Sequence, residues 1–179
     1  QFLLNYVTGD PQGLQYEFNN DTAYFKKSIN DDSALESSGT RIYNQFAVRY
    51  NYITPSWLYA IPEVSVRSIN TFYDQDSKKS IGLSKSDDLE KSVVVPQFTL
   101  ATGVTFEKDG KYLHSISPRA FYAYSPYKKQ DDYPNFDSTT ASINYDQLFN
   151  PYRFYGHDRL DDNNFLSLGV TYSWLDTEG

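Results

Sequence analysis

The chain has 179 residues, enough for one domain of ordinary size, and its 17 Tyr and 12 Phe suit strands. A net charge of −7 and a sequence pI near 4.7 exclude the basic footprint of a general nucleic-acid binder. No cysteine is present, so the chain holds no disulfide and no thiolate metal site. No apolar run approaches the ~18–20 residues of a membrane-spanning helix, a limit that leaves spanning strands untouched. The mean hydropathy of −0.62 fits a barrel that hides its apolar residues in alternation. With no Met and no charged segment leading into an apolar one, the sequence reads as a processed protein or a piece of a longer one.

Alternation of period two recurs along the chain, and helical spacing is rare. Seven strands are predicted, at 1–8, 13–27, 40–53, 56–73, 91–107, 111–125 and 163–175. The second has the weakest pattern. The third sets Ile42, Phe46, Val48, Tyr50 and Tyr52 against Arg41, Gln45, Arg49 and Asn51. The fifth sets Val94, Pro96, Phe98, Leu100, Thr102, Val104 and Phe106 against Val95, Gln97, Thr99, Ala101, Gly103, Thr105 and Glu107. The sixth resumes with Tyr112, His114, Ile116, Pro118, Ala120, Tyr122 and Tyr124 on one face. The last is clean, with Leu166, Leu168, Val170, Tyr172 and Trp174 opposed by Phe165, Ser167, Gly169, Thr171 and Ser173. Pro62, Pro96 and Pro118 fall inside these patterns, so bulges or local breaks are expected there.

The connections alternate in length. Gly9–Gln12, Thr54–Pro55 and Asp109–Gly110 are short; Ser28–Gly39, Asp74–Glu90 and Pro126–Asp162 are long. Successive antiparallel hairpins put all short turns at one end of the sheet and all long loops at the other. Outer-membrane barrels have this asymmetry. Runs longer than the usual 5–6 residues of soluble strands agree with it, since about 9–11 residues cross the hydrocarbon. The fold expected is all-β, an antiparallel transmembrane β-barrel present in part, with about seven strands of a larger barrel. Seven cannot close even a barrel of about eight strands, and two open edges should promote association. A soluble β-sandwich that binds carbohydrate through its aromatics is the alternative left open by alternation alone.

No catalytic set is legible. His114 lies on the apolar face near a strand start, as a residue at a membrane–water interface would. His157 sits in YGHDRL, where hydrogen bonding within the loop is expected. The pairs Asp31-Asp32, Asp87-Asp88, Asp131-Asp132 and Asp161-Asp162 all fall in long loops. No calcium-loop, zinc or phosphate-loop spacing accompanies them. Asp158, Asp161, Asp162 and Asn164 carry oxygens enough for a cation but read as a solvated acidic loop. A two-carboxylate glycosidase has nothing positive in its favour. No cofactor is expected. Arg41, Arg49, Arg67 and Arg119 share the polar parity of their strands, which in a barrel is the lumen face. They form a hydrated wall, and as a sharper hypothesis they guide an anionic substrate.

The ordered set VVPQF, SPRAFYAYSPYKKQ, NFDS, YDQLF, RFYGHDRL and DDNNFLSLGVTYSW, from about Glu90 to Trp174, resembles the barrel of the LptD family of lipopolysaccharide-assembly proteins. TRIYNQFAVRYNYITPSWLYAIPEVSVRSINTFYDQ resembles the two strands before it more loosely. The resemblance implies an internal barrel fragment in the outer membrane of a Gram-negative bacterium, working in lipopolysaccharide transport without catalysis. It implies an LptE-type plug lipoprotein as partner. It also implies a periplasmic bridge protein that would reach the barrel through a jellyroll domain missing from these residues. Another outer-membrane barrel, a porin or receptor, is the runner-up. The connection of about 37 residues from Pro126 to Asp162 is unusual unless functional, and its aromatics suggest that it folds. Asn135, Phe136 and Asp137, then Tyr145 and Phe149, then Arg153, Phe154, Asp158 and Arg159 are the expected lid facing plug and lumen.

Overall fold

The computed structural model describes residues 1–26, 38–73, 90–110, 112–130, 133 and 135–176. The predicted pairs Asp31-Asp32, Asp87-Asp88 and Asp131-Asp132 lie outside the described residues, as does most of the first two long connections. The strands are β1 (Phe2–Gly9), β2 (Leu14–Phe25), β3 (Gly39–Tyr50), β4 (Tyr52–Ile53), β5 (Tyr59–Tyr73), β6 (Glu90–Gly103), β7 (Phe106–Lys108), β8 (Tyr112–Ser125), β9 (Thr139–Thr140), β10 (Phe154–Tyr155) and β11 (Asn163–Asp176). One antiparallel sheet runs β1-β2-β3-β5-β6-β8-β11, with β4 on β5 and β7 on β8; β9 and β10 form a small hairpin. The sheet does not close, and β1 and β11 are its edges.

The seven predicted strands are all present, with corrections at their ends. The second stops at Phe25, and the fourth starts at Tyr59 because residues 54–58 form a turn. There Trp57 adopts φ +58 and donates its N–H to Thr54 O at 3.1 Å. The third and fifth predicted strands each split, at Asn51 and at Val104-Thr105. The prolines explain both breaks. Pro62 lies just where the β5 partner changes from β3 to β4, and Pro118 just where the β8 partner changes from β6 to β7. Pro96 sits beyond the end of the β6–β8 ladder, which begins at Phe98. No bulge forms at any of them, because the register continues unshifted across each gap. A missing N–H is therefore accommodated by thinning the ladder on one side.

Burial is inverted relative to a soluble sheet. One face is covered by the 126–162 connection and carries Arg41, Ser65, Arg67, Thr71, Gln97 and Thr99, all buried. The other is open and carries Phe46, Val64, Val66, Val94, Leu166, Leu168, Val170, Tyr172 and Trp174, all exposed. Water does not favour so large a contiguous apolar surface; lipid does.

Register gives the strand tilt. Tyr16, Val48, Val64, Phe98, Tyr124 and Asn164 form one cross-strand row on the open face. On β2 the apolar run reaches only one side chain below that row, to Leu14, whereas on β11 it reaches five below, to Trp174. The lower edge therefore slips by about 26 Å, and the upper edge by about 13 Å, over five strand spacings of about 4.8 Å each. A level hydrocarbon slab requires strands tilted roughly 30–45°, the range of membrane barrels. At the short-turn end His114 Nδ1 lies 2.8 Å from Tyr172 Oη, and Tyr112 packs edge-on against Trp174 at 5.7 Å. That cluster matches an interfacial aromatic girdle and the sequence reading of His114.

Candidate functional site

The covered face is built by odd-numbered residues of β2, β3, β5, β6 and β8, which the two-residue pleat turns to one side. Against it the 126–162 connection folds as a lid with its own β9–β10 hairpin and a 3-10 turn, Gln147–Phe149. Three of the four predicted arginines hold it.

Arg41 is the first anchor, with a side chain only 1% exposed. Its Nη1 donates to Asp158 Oδ1 at 2.6 Å and to Asp137; its Nη2 reaches Asp137 Oδ2 at 3.1 Å and Asp21 Oδ2 at 3.4 Å. Asp158 turns its second oxygen to three successive backbone N–H groups, of Phe136 (2.8 Å), Asp137 (2.7 Å) and Ser138 (2.9 Å). Ser138 Oγ accepts the Asp158 N–H in return at 2.8 Å. One carboxylate thus ties the NFDS turn, the GHDRL turn and the sheet together. Phe136 stacks on Phe25 at 4.6 Å, and the Arg41 guanidinium lies 5.0 Å from the same Phe25 ring. Asn135 closes the turn locally, donating to Ser138 O and accepting the Ser138 N–H. Gly156, at φ +84, is required where a Cβ would meet Asp137 Oδ1 and Ser138 Oγ at 2.8 Å each.

His157 stacks on Tyr43 at 4.0 Å with its Nε2 3.8 Å from Asp21. Packing on the wall, not the expected hydrogen bonding within the loop, places it. Burial, aided by the charge of Arg41, pushes its imidazole below the ordinary value of 6.5 despite Asp21, Asp137 and Asp158. Burial alone would raise the Asp137 carboxyl, but the hydrogen bond and charge of Arg41 outweigh it and hold that group below its usual range.

Arg67 is the second anchor. Its Nη1 is 3.7 Å from Asp161 Oδ2, and its guanidinium lies 5.1 Å from the Tyr152 ring. Asp161 Oδ1 also accepts from Arg153 N at 3.0 Å and Arg153 Nε at 3.3 Å, and its carbonyl accepts from Ser125 Oγ at 2.7 Å. Leu160 joins Tyr43, Ile69, Val93 and Val95 in the apolar core, with Tyr133 packed beside it. Arg119 is the third anchor, its guanidinium 3.6 Å from the Phe149 ring and 4.5 Å from that of Tyr145. Phe149 lies so close over Gly169 that a Cβ there would stand 2.6 Å from the ring. Between the first two anchors a cavity of about 290 Å³ remains, lined by Tyr43, Gln45, Arg67, Tyr152, His157 and Asp161 among others.

Several expectations change. Asp158 and Asp161 are buried ion-pair partners, not a solvated acidic loop. Arg41 and Arg67 are not hydrated wall. Arg49 stands apart, pairing with Glu17 at 2.9 Å and Glu63 at 3.7 Å on its own wall. Of the predicted lid residues, Phe136, Asp137, Tyr145, Phe149 and Asp158 touch the sheet or its arginines. Phe154 sits in the β9–β10 hairpin, and Arg159 donates to the Asp158 and Tyr133 carbonyls. Asp21, Phe25, Tyr43 and Tyr152 complete the site and went unselected. For Asp21 the signal was available, since it shares parity with Ala23 and Phe25 and pairs with Tyr43 across β2–β3. Among the described residues no group of three or more His, Asp or Glu is arranged to hold a metal ion.

An apolar open face, strands tilted to a common slab, an interfacial aromatic cluster and a charged face under a folded lid together define the wall of an outer-membrane β-barrel. The family model described as LptD, LPS transport system D, matches residues 1–179. The LPS-assembly protein LptD of Acinetobacter baumannii is 77% identical over 179 residues, covering all of this chain and 22% of that protein. That of Acinetobacter baylyi is 71% identical over 181 residues, again with 22% of its length covered, and that of Psychrobacter cryohalolentis is 43% identical over 169 residues, or 89% of this chain and 17% of that protein. The chain belongs to the LptD family, whose members are outer-membrane β-barrels of Gram-negative bacteria. It spans about a fifth of the length of these relatives.

Proposed function

We propose that this chain is a stretch of barrel wall with one outer lid in a translocon that delivers lipopolysaccharide to the outer leaflet. The whole chain, 1–179, is one barrel segment, and 126–162 is the outer loop. The observation that carries the reading is the buried tie of Asp158 to Arg41 and to the NFDS turn, which fixes the lid over the charged face. Work is done by shape and electrostatics, with no residue turning over. Arg41, Arg67 and Arg119 serve the lid, so any guidance of an anionic substrate falls to Arg49, whose side chain is 32% exposed.

An LptE-type lipoprotein plug fills the lumen beside the lid. Ile143, Leu148 and Tyr155 are exposed apolar or aromatic lid side chains, and Tyr145, seated on Arg119, still leaves 47% of its surface open; they suit such a contact. A periplasmic bridge protein delivers the lipid through a jellyroll domain elsewhere in the full-length protein. The test places a photo-crosslinking residue at Tyr145 or Phe136 of the full-length protein. Capture of the plug lipoprotein from Tyr145 supports the reading, and failure from both positions removes plug contact from it. Neutralising Arg49 tests guidance, which is abandoned if lipopolysaccharide export is unchanged.

A further inference from the structure

We propose that the loop-side margin of the open face, on β2, β3, β5 and β6, is a docking surface for the saccharide part of an outer-leaflet glycolipid. This rests on the reading of the sheet as an outer-membrane barrel wall. Two successive cross-strand rows interrupt the apolar face. The first is Asn20–Asn44–Ser68, bounded on β6 by the exposed Val94, and the second is Thr22–Ile42–Asn70–Ser92. Below them the face turns apolar at once, with Phe18, Phe46, Val66 and Pro96 in the next row. Above them stand Tyr24 and Phe72, 57% and 39% exposed.

The polar groups are oriented by one another. Asn20 Nδ2 donates to Asn44 Oδ1 at 2.8 Å, Thr22 Oγ1 to Asn20 Oδ1 at 3.1 Å, and Ser92 Oγ to Asn70 Oδ1 at 2.8 Å. Asn20 Nδ2 also donates to the Tyr43 carbonyl at 3.3 Å, so the further capacity of the patch lies in the Asn44 and Asn70 carboxamides and the hydroxyls. Neither row contains a Lys or Arg, and Glu90 faces the same side beyond Phe72, so a phosphate is poorly matched. A neutral ring rich in hydroxyls is well matched, with amides at its edge and exposed aromatic faces beside it. Three strand spacings by two side-chain rows give about 14 by 7 Å, room for one or two sugar rings. Depth decides the source. The rows begin where the hydrocarbon-facing side chains stop, which is the headgroup layer on the long-loop side. On β11 the strand ends at the same boundary, at Asn163-Asn164.

The test uses the full-length protein in nanodiscs of phospholipid and lipopolysaccharide, with p-benzoylphenylalanine at Ser68 or at Leu168. After photolysis, mass spectrometry locates each adduct on a sugar or on an acyl chain. Sugar adducts at position 68 and acyl adducts at position 168 are expected. Adding Asn44→Leu and Asn70→Leu should lower the sugar adduct at position 68 severalfold and leave position 168 unchanged. Acyl adducts at position 68, or no glycolipid adduct there while position 168 captures lipid, overturn the proposal. Absence of any lipid adduct at position 168 overturns the barrel reading itself.

Discussion

At the scale of single residues, Asp158 carries the most. It and Arg41 are each about 1% exposed; without Asp158, Arg41 keeps Asp137 and Asp21, but the Phe136, Asp137 and Ser138 N–H groups lose their shared acceptor. Asp158→Ala should weaken lid docking by about 1–3 kcal/mol. Trypsin cleavage after Arg153 and Arg159 in the detergent-solubilised full-length protein would read it. The double variant Arg41→Met, Asp158→Leu should be cleaved at least as much as Asp158→Ala alone, because Asp21 and Asp137 then lose their shared cation. His157 gives a pH dependence of defined sign. Its folded-state value is lowered, so the open lid binds the proton more readily than the closed one. Lid protection should be full above pH 6.5 and fall as the pH drops below it, and His157→Phe, which keeps the stack on Tyr43, should flatten that fall. A fall of the same size in His157→Phe would assign it elsewhere.

At the scale of elements, the alternation and turn chemistry carried most of the strand prediction, because side-chain period and burial coincide when one face meets lipid and the other a charged lid. What stayed hidden were properties of pairs. Pro62 marked trouble in β5, but the break it caused lies in its neighbour, between Tyr50 and Tyr52, and only the register shows that. The lid was legible as aromatic and therefore folded. Its contacts were not, since Asp158 and Asp161 look like any acidic loop residues until Arg41 and Arg67 are found beneath them. Gly169 looked like one of the small residues of β11's covered face and is in fact the seat of Phe149. Gly169→Val should drive the Phe149 ring off at a penalty of about 1–3 kcal/mol. Chymotryptic cleavage at Tyr145 and Phe149 should rise while tryptic cleavage after Arg159, at the Arg41 end, stays low.

At the scale of the whole molecule, the exposed face and the two free edges decide behaviour. Exposed Phe, Leu, Val and Trp side chains cover the sheet on one side, and β1 is exposed along its full length. The isolated chain should keep its β circular-dichroism signal only in detergent and should aggregate without it. Sedimentation as a monodisperse β protein in plain buffer would overturn the barrel assignment.

The tie between Arg41 and Asp158 spans 117 residues, with β5, β6 and β8 between its two ends. Closing so long a stretch is slow compared with forming the short hairpins β1–β2 and β7–β8. The latch therefore works as a completion check on assembly. Until the intervening strands have paired in the right order, Arg41 and Asp158 cannot meet, and a half-built wall leaves its guanidinium open to water. Time-resolved refolding should show protection of the lid lagging behind strand formation.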